Sequence, residues 1–173
     1  MLFKSQTQNY RLLLLTLFFL VINSIAGASG TWNVIKHVRG ADWQDVFFLD
    51  ESHGWAVGNY GAVISTENGG KDWKVLQHKR KIRSEAPFYK SVYFVTKDKG
   101  WIAGYDSSRN GIILFTEDGG KRLEEQARFS ETYLYDAYFT SQSEGWIAGS
   151  KNGQTLILHT ENSGDDWKIQ RYD

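Results

Sequence analysis

Gly54-Trp55-Ala56-Val57-Gly58-Asn59-Tyr60-Gly61-Ala62-Val63-Ile64-Ser65-Thr66-Glu67-Asn68-Gly69-Gly70-Lys71-Asp72-Trp73 reads as two short strands followed by a tight turn. Its last part recurs as Thr116-Glu117-Asp118-Gly119-Gly120-Lys121-Arg122-Leu123 and as Thr160-Glu161-Asn162-Ser163-Gly164-Asp165-Asp166-Trp167. The shared skeleton is Thr66, Asn68, Gly70 and Trp73, then Thr116, Asp118, Gly120 and Leu123, then Thr160, Asn162, Gly164 and Trp167. Asn or Asp can bond the backbone of its own turn, and Gly supplies the positive φ that other residues resist. Trp73 and Trp167 are expected to fold back and bury their rings, with the indole N–H reaching a polar partner. Leu123 keeps the bulk without that donor, which predicts a less fixed second hairpin.

The turns belong to a longer repeat. Gly-Trp pairs begin at Gly54, Gly100 and Gly145, 46 and then 45 residues apart. Each is preceded by a β-branched or aromatic run (Asp45 to Leu49, Ser91 to Val95, Asp136 to Thr140) and followed by an apolar run and the turn. A period in the forties with four short strands per unit is the signature of propeller blades. The fold class expected is all-β, a partial propeller of three four-stranded blades at about 45–78, 91–126 and 136–171, with a spare outer strand at 31–37. Trp55, Trp101 and Trp146, repeated in register, read as packing residues between blades.

Three blades cannot close a ring, because closed propellers have at least four. Two apolar faces would therefore lie open. A homo-oligomer of two copies would complete the propeller; a cut form of a longer one is the alternative.

The first residues are of another kind. Lys4 and Arg11 stand in a start without acids, Leu12 to Ile22 is apolar but for Thr16, and Ala26-Gly27-Ala28 offers small residues. This reads as a signal peptide over 1–28, cleaved after Ala28, which predicts an exported chain. An uncleaved anchor is the alternative, although the apolar run is about half of what a spanning helix needs. After cleavage 18 basic residues face 20 acidic ones, a balance that argues against nucleic acid as a partner. The chain has no cysteine, which excludes disulfides, a thiol nucleophile and thiolate metal sites. The connection from Lys74 to Lys90 is basic, and Lys79, Arg80, Lys81 and Arg83 are candidates for contact with an anionic partner or lipid head group; a solvated loop is the plainer reading.

Through Gly54 to Trp73 the chain resembles the Asp-box, or BNR-repeat, propellers, and most of all the photosystem II stability and assembly factor family with its non-photosynthetic relatives. The resemblance extends over about 31–173. It implies that the boxes are structural rim turns. It further implies that the protein is an exported, non-enzymatic scaffold for a partner protein, with binding on the channel mouth or blade faces.

Other Asp-box propellers are sialidases and related glycoside hydrolases, the alternative function. Such a site needs an arginine cluster with a tyrosine nucleophile, or two carboxylates lining the channel. Arg39, Arg80, Arg83, Arg109, Arg122, Arg128 and Arg171 occupy no matching first-strand positions. Asp45 and Asp136 are the symmetric carboxylates, with Ser91 at the third position, and read as strand-entry residues that bond a turn. Histidines 37, 53, 78 and 159 show no metal-ligand spacing and read as surface or turn residues without an acidic partner. A calcium site at Asp165-Asp166 is the weaker reading of that turn. No metal and no cofactor is expected.

Overall fold

The computed structural model describes residues 41–77 and 86–172, all within the compact unit Ile35–Asp173. The expected signal peptide, the outer strand at 31–37 and the basic residues Lys79, Arg80, Lys81 and Arg83 lie outside the described residues.

Three four-stranded antiparallel sheets follow one another along the chain. Blade one is β1 (Trp43–Phe48), β2 (Gly54–Gly58), β3 (Ala62–Thr66) and β4 (Lys74–Gln77). Blade two is β5 (Phe88–Phe94), β6 (Gly100–Tyr105), β7 (Gly111–Thr116) and β8 (Glu124–Phe129). Blade three is β9 (Thr132–Phe139), β10 (Gly145–Lys151), β11 (Gln154–Thr160) and β12 (Lys168–Tyr172). Within each blade the strands pair in sequence order, and the first strands touch one another, β1 with β5 and β5 with β9. The first strands are thus innermost. The protein is a partial β-propeller.

Burial follows from this stacking. β2 and β6 are covered on both faces, and their residues are buried along almost their whole length. One apolar cluster joins blade one to blade two through Trp55, Val57 and Val63 against Val92, Phe94 and Ile102. A second joins blade two to blade three through Trp101, Ala103 and Ile113 against Leu134, Phe139 and Ile147. The repeated tryptophans form the seams: Trp55 stacks on Phe94 and Trp101 on Phe139, each at 3.7 Å between ring centroids. Their indoles then donate onward to the next blade, Trp55 to the Gly119 carbonyl at 2.9 Å and Trp101 to the Ser163 carbonyl at 3.2 Å. Trp146 differs. It stacks on His159 of its own blade and donates to Gln170 Oε1 at 3.1 Å.

The first strands all carry a bulge near their start, which leaves Gln44, Lys90 and Tyr135 without a register partner on the second strand. A bulge inserts one residue, bends the strand and re-aims a side chain. It also explains the second glycine of the Gly-Trp-x-x-Gly run. A Cβ at Gly104 would lie 2.2 Å from the Phe88 carbonyl oxygen, and at Gly149 it would lie 2.4 Å from that of Tyr133. The bulged strand is pressed onto its neighbour where only glycine fits.

Candidate functional site

The two ends of the blades differ. At one end the three box turns are closed by the same side-chain bonds. Thr66 Oγ1 accepts the Gly70 N–H at 2.9 Å, while Asn68 Oδ1 accepts from the Asp72 N–H at 2.9 Å. Thr116 and Asp118 do the same for Gly120 and Arg122, and Thr160 and Asn162 for Gly164 and Asp166. All three threonines are buried. The second box therefore has the same closure as the others in spite of Leu123, because the turn is held by Thr and Asx oxygens rather than by an indole. Its one missing bond is the Asn amide to the next Asp, made by Asn68 to Asp72 and Asn162 to Asp166. The indole expectation fails at Trp167. Its ring packs edge-on to Phe139, but Nε1 is buried with no partner among the described residues.

At the opposite end lie the β2–β3 type turns and the entries to the first strands, tied together by Gly61 N–H to Pro87 O at 2.8 Å and Thr132 N–H to Arg109 O at 2.9 Å. Here the aromatic side chains form a row across the blades. Tyr60 lies 6.2 Å from Phe88, Phe88 lies 5.4 Å from Tyr105, Tyr105 lies 4.8 Å from Tyr133, and Tyr133 lies 6.4 Å from Tyr135 (ring centroids). The bulged residues bring polar groups to the row. Lys90 Nζ donates to Gln44 Oε1 at 2.8 Å and sits 5.6 Å from the centre of the Tyr105 ring. The Tyr135 hydroxyl is 3.1 Å from Ser150 Oγ, and half of Tyr135 is exposed. Burial, with Tyr135 and Tyr133 nearby, pushes the Tyr105 phenol above its ordinary range, so it remains a protonated donor at neutral pH. Behind the row Arg128 bridges Glu125 and Asp106. Hydrogen bonds from Arg128 hold Glu125 low, and the bonds to Asn110 and Arg128 outweigh burial to lower Asp106. An aromatic row with an ammonium and amide groups beside it can hold an extended segment, burying its apolar side chains and pairing an acidic one with Lys90.

Sequence reasoning missed this row. Its signal was available in the aromatic residues at the strand entries, Phe88-Tyr89 and Tyr133 to Tyr135, but their convergence depends on the bulges. A second aromatic row, Phe47, Tyr93 and Tyr138, runs along the innermost strands with centroids 4.8 and 5.2 Å apart.

Asp45 and Asp136 each accept the N–H of the residue that follows, Val46 at 2.8 Å and Ala137 at 3.0 Å, and in addition bond between blades, which corrects the expectation of a purely local role. Asp45 Oδ2 accepts the N–H of Val92 at 2.9 Å, and the Ser91 hydroxyl donates to Asp136 Oδ1 while its oxygen accepts the Ala137 N–H, both at 3.1 Å. Two histidines also have acidic neighbours, contrary to expectation. His53 Nδ1 is 2.9 Å from Asp50, and His159, half-buried on β11 under Trp146, lies 3.6 Å from Glu144. Among the described residues no group of three His, Cys, Asp or Glu side chains is placed to hold a metal ion. No helix there is long and apolar enough to cross a membrane.

The profile of the family described as photosynthesis system II assembly factor YCF48 matches residues 25–131, more than half of the chain. The chain belongs to this family. Among YCF48-family relatives, the photosystem II assembly lipoprotein Ycf48 of Synechococcus sp. (strain CC9902) is 30% identical over 94 residues, which are 54% of this chain and 26% of that protein. The chloroplastic photosystem II stability/assembly factor HCF136 of Arabidopsis thaliana is 36% identical over 76 residues, 44% of this chain and 17% of that protein. The solved structure described as YCF48 bound to D1 peptide superimposes with a TM-score of 0.57 at 25% identity, covering 75% of this chain and 39% of that one. YCF48 from Cyanidioschyzon merolae gives a TM-score of 0.62 at 21% identity over 81% of this chain and 43% of that one, a likeness of fold. The matched part of the chain thus corresponds to less than half of each of these YCF48-family proteins. Both relatives are described as photosystem II assembly proteins.

Proposed function

We propose that this YCF48-family chain is an exported, non-enzymatic assembly module that holds a segment of a partner protein on the aromatic row between Tyr60 and Tyr135. The observation that carries the reading is the row itself: five rings from two blades and a turn, aligned at the strand-entry end with Lys90 and Gln44 set among them by bulges. The three boxes serve the rim turns, so binding lies away from Thr66 to Trp73. A solved relative is described as bound to D1 peptide, which makes a D1 segment the first partner to try. The basic residues Lys79, Arg80, Lys81 and Arg83 fall in the connection that leads into β5 and form a second contact for an acidic stretch of the same segment. Export rests on the leader-like start and on cleavage after Ala28. Self-association completing the ring belongs to the same reading. A hydrolase is not favoured, since Asp45 and Asp136 are engaged in joining the blades.

The test is fluorescence anisotropy with labelled peptides tiling D1. Tyr105→Ala and Tyr135→Ala are expected to weaken the bound peptide by about tenfold each, as truncation of an aromatic anchor does. Asn68→Ala in a box is expected to leave affinity unchanged. Binding that survives both tyrosine changes, or that no D1 peptide shows, would overturn this reading.

A further inference from the structure

The two internal seams are built on one plan, but the second contains a group that the first lacks. Where blade two meets blade three, the ammonium of Lys99 is held in the seam. Its Nζ lies 5.6 Å from the ring centres of Trp101 and of Phe115, the cross-strand partner of Trp101, and donates to Ser163 Oγ at 3.2 Å. The Ser163 carbonyl is fully used as well. It accepts from the Trp101 indole at 3.2 Å and from the Gln126 amide at 2.9 Å, which takes up both lone pairs.

Where blade one meets blade two, these parts are replaced by smaller or apolar ones. Ser65 pairs with Trp55 as Phe115 pairs with Trp101, and Leu76 is the outer-strand bulge residue in the place of Gln126. Gly119 stands where the next box has Ser163, and His53 stands for Lys99, with its Nδ1 drawn to Asp50 at 2.9 Å. The result is a cavity of about 140 Å³ between the rims of the two blades, with Trp55, Ser65, Leu76 and Gly119 in its wall. Two acceptors there lack a donor. The Gly119 carbonyl accepts only the Trp55 indole among the described residues, at 2.9 Å, and the exposed Glu67 carboxylate has no partner among them. The lysines that also line the cavity do not occupy it: Lys97 is paired with Asp98 at 2.7 Å, and Lys74 and Lys121 are exposed.

We propose that this cavity receives a lysine side chain of a partner protein, whose ammonium donates to the Gly119 carbonyl and pairs with Glu67 beside the Trp55 wall. The molecule itself shows the chemistry of the seat, because its own Lys99 fills the equivalent place in the next seam. An ammonium gains there both from the aromatic ring and from a charge-assisted hydrogen bond. The boxes keep their part in closing the turns; Glu67 and Gly119 contribute a carboxylate and a carbonyl that the closure does not use. This site lies at the box end, opposite the aromatic row, and is independent of D1 peptide binding there.

The probe is Nα-acetyl-lysine methylamide, titrated into the isotope-labelled full chain while the indole N–H resonances of Trp55 and Trp101 are followed. Trp55 is expected to shift saturably, and Trp101, whose seam Lys99 already fills, to stay still. The Nε-acetylated probe, which has lost the charge, is expected to bind at least about tenfold more weakly. Ser65→Phe fills the cavity with the second seam's ring, and Leu76→Gln brings its amide donor to Gly119. Each is expected to lower probe affinity by about tenfold or more and to leave D1 peptide affinity unchanged. Leu76→Gln is the milder change and decides the matter where Ser65→Phe disturbs the fold. No shift at Trp55, an equal shift with the acetylated probe, or full affinity in a folded Leu76→Gln variant would overturn the proposal. Failure of D1 peptide binding with the lysine probe still bound would strike the row alone and support this site.

Discussion

Thr116→Val removes one oxygen from a buried turn and leaves the shape of the side chain almost unchanged. Thr116 is 3% exposed, and its Oγ1 accepts from the N–H of Gly120 at 3.0 Å and of Asp118 at 3.2 Å while donating to Asp118 Oδ1 at 3.0 Å. Gly120 sits at φ +90° in a buried position, so its N–H has no route to water once the oxygen is gone. A buried donor left unpaired costs about 1–3 kcal/mol. The Asp118 carboxylate is only partly buried and keeps the Arg122 N–H, so its share of the loss is small. The expected destabilisation is about 2 kcal/mol, which lowers the melting temperature by roughly 5–10 °C for a unit of this size. Urea denaturation followed by tryptophan fluorescence measures it, with Thr116→Ser as the control that keeps the oxygen. Thr66→Val and Thr160→Val should cost nearly the same, because their bonds are the same. A midpoint that does not move, or a box change that abolishes peptide binding at full stability, would refute the structural role of the boxes.

Other expectations follow from single residues. Gly104→Ala places a Cβ 2.2 Å from the Phe88 carbonyl, a backbone atom that cannot swing aside, and should cost about 1–3 kcal/mol in urea together with weaker peptide binding at the bulge. Ser163 holds φ at +65°, where a glycine would be relaxed, yet its hydroxyl donates to Gln142 O at 2.9 Å and accepts from Lys99. Ser163→Gly should therefore leave stability within about 0.5 kcal/mol, two opposed effects of about 1 kcal/mol each nearly cancelling; a large loss would show that the hydroxyl dominates. Acid should destabilise the fold. The Arg122 backbone N–H lowers Asp118, the Arg128 side chain lowers Glu125, and hydrogen bonds lower Asp106 against its burial. Groups whose pKa is lowered on folding stabilise fully above their unfolded values, about 4, and lose that contribution as pH falls through the folded ones. Urea midpoints from neutral pH downward should be flat and then fall below about pH 4, less steeply in Arg128→Ala; a midpoint that rises in acid would contradict the assignment.

The fold was legible because a propeller writes its architecture as repetition. Gly54-Trp55, Gly100-Trp101 and Gly145-Trp146 mark the second strands, and the boxes mark the third turns. The tryptophan seams were legible for the same reason: a residue repeated in register serves the contact that repeats. The aromatic row was not. It needs the one-residue bulges at Gln44, Lys90 and Tyr135, and a bulge changes register without changing composition. Asp45 is legible only in part: one carboxylate oxygen accepts the N–H of its own neighbour Val46 at 2.8 Å, as an acid at a strand entry does, while the other reaches the next blade's Val92 N–H at 2.9 Å, a contact no local pattern announces. Leu123 suggests a looser hairpin because the large apolar residue is the most visible part of the box, but closure rests on Thr116 and Asp118.

Hydrogen exchange on the chain with and without a bound D1 peptide puts the location of binding to the most direct test. Slowed exchange confined to the entries of β5 and β9 and to the turn around Tyr105 to Asn110, with the three box turns unchanged, is the predicted footprint. Protection centred on the boxes, or no change along the aromatic row, would contradict it.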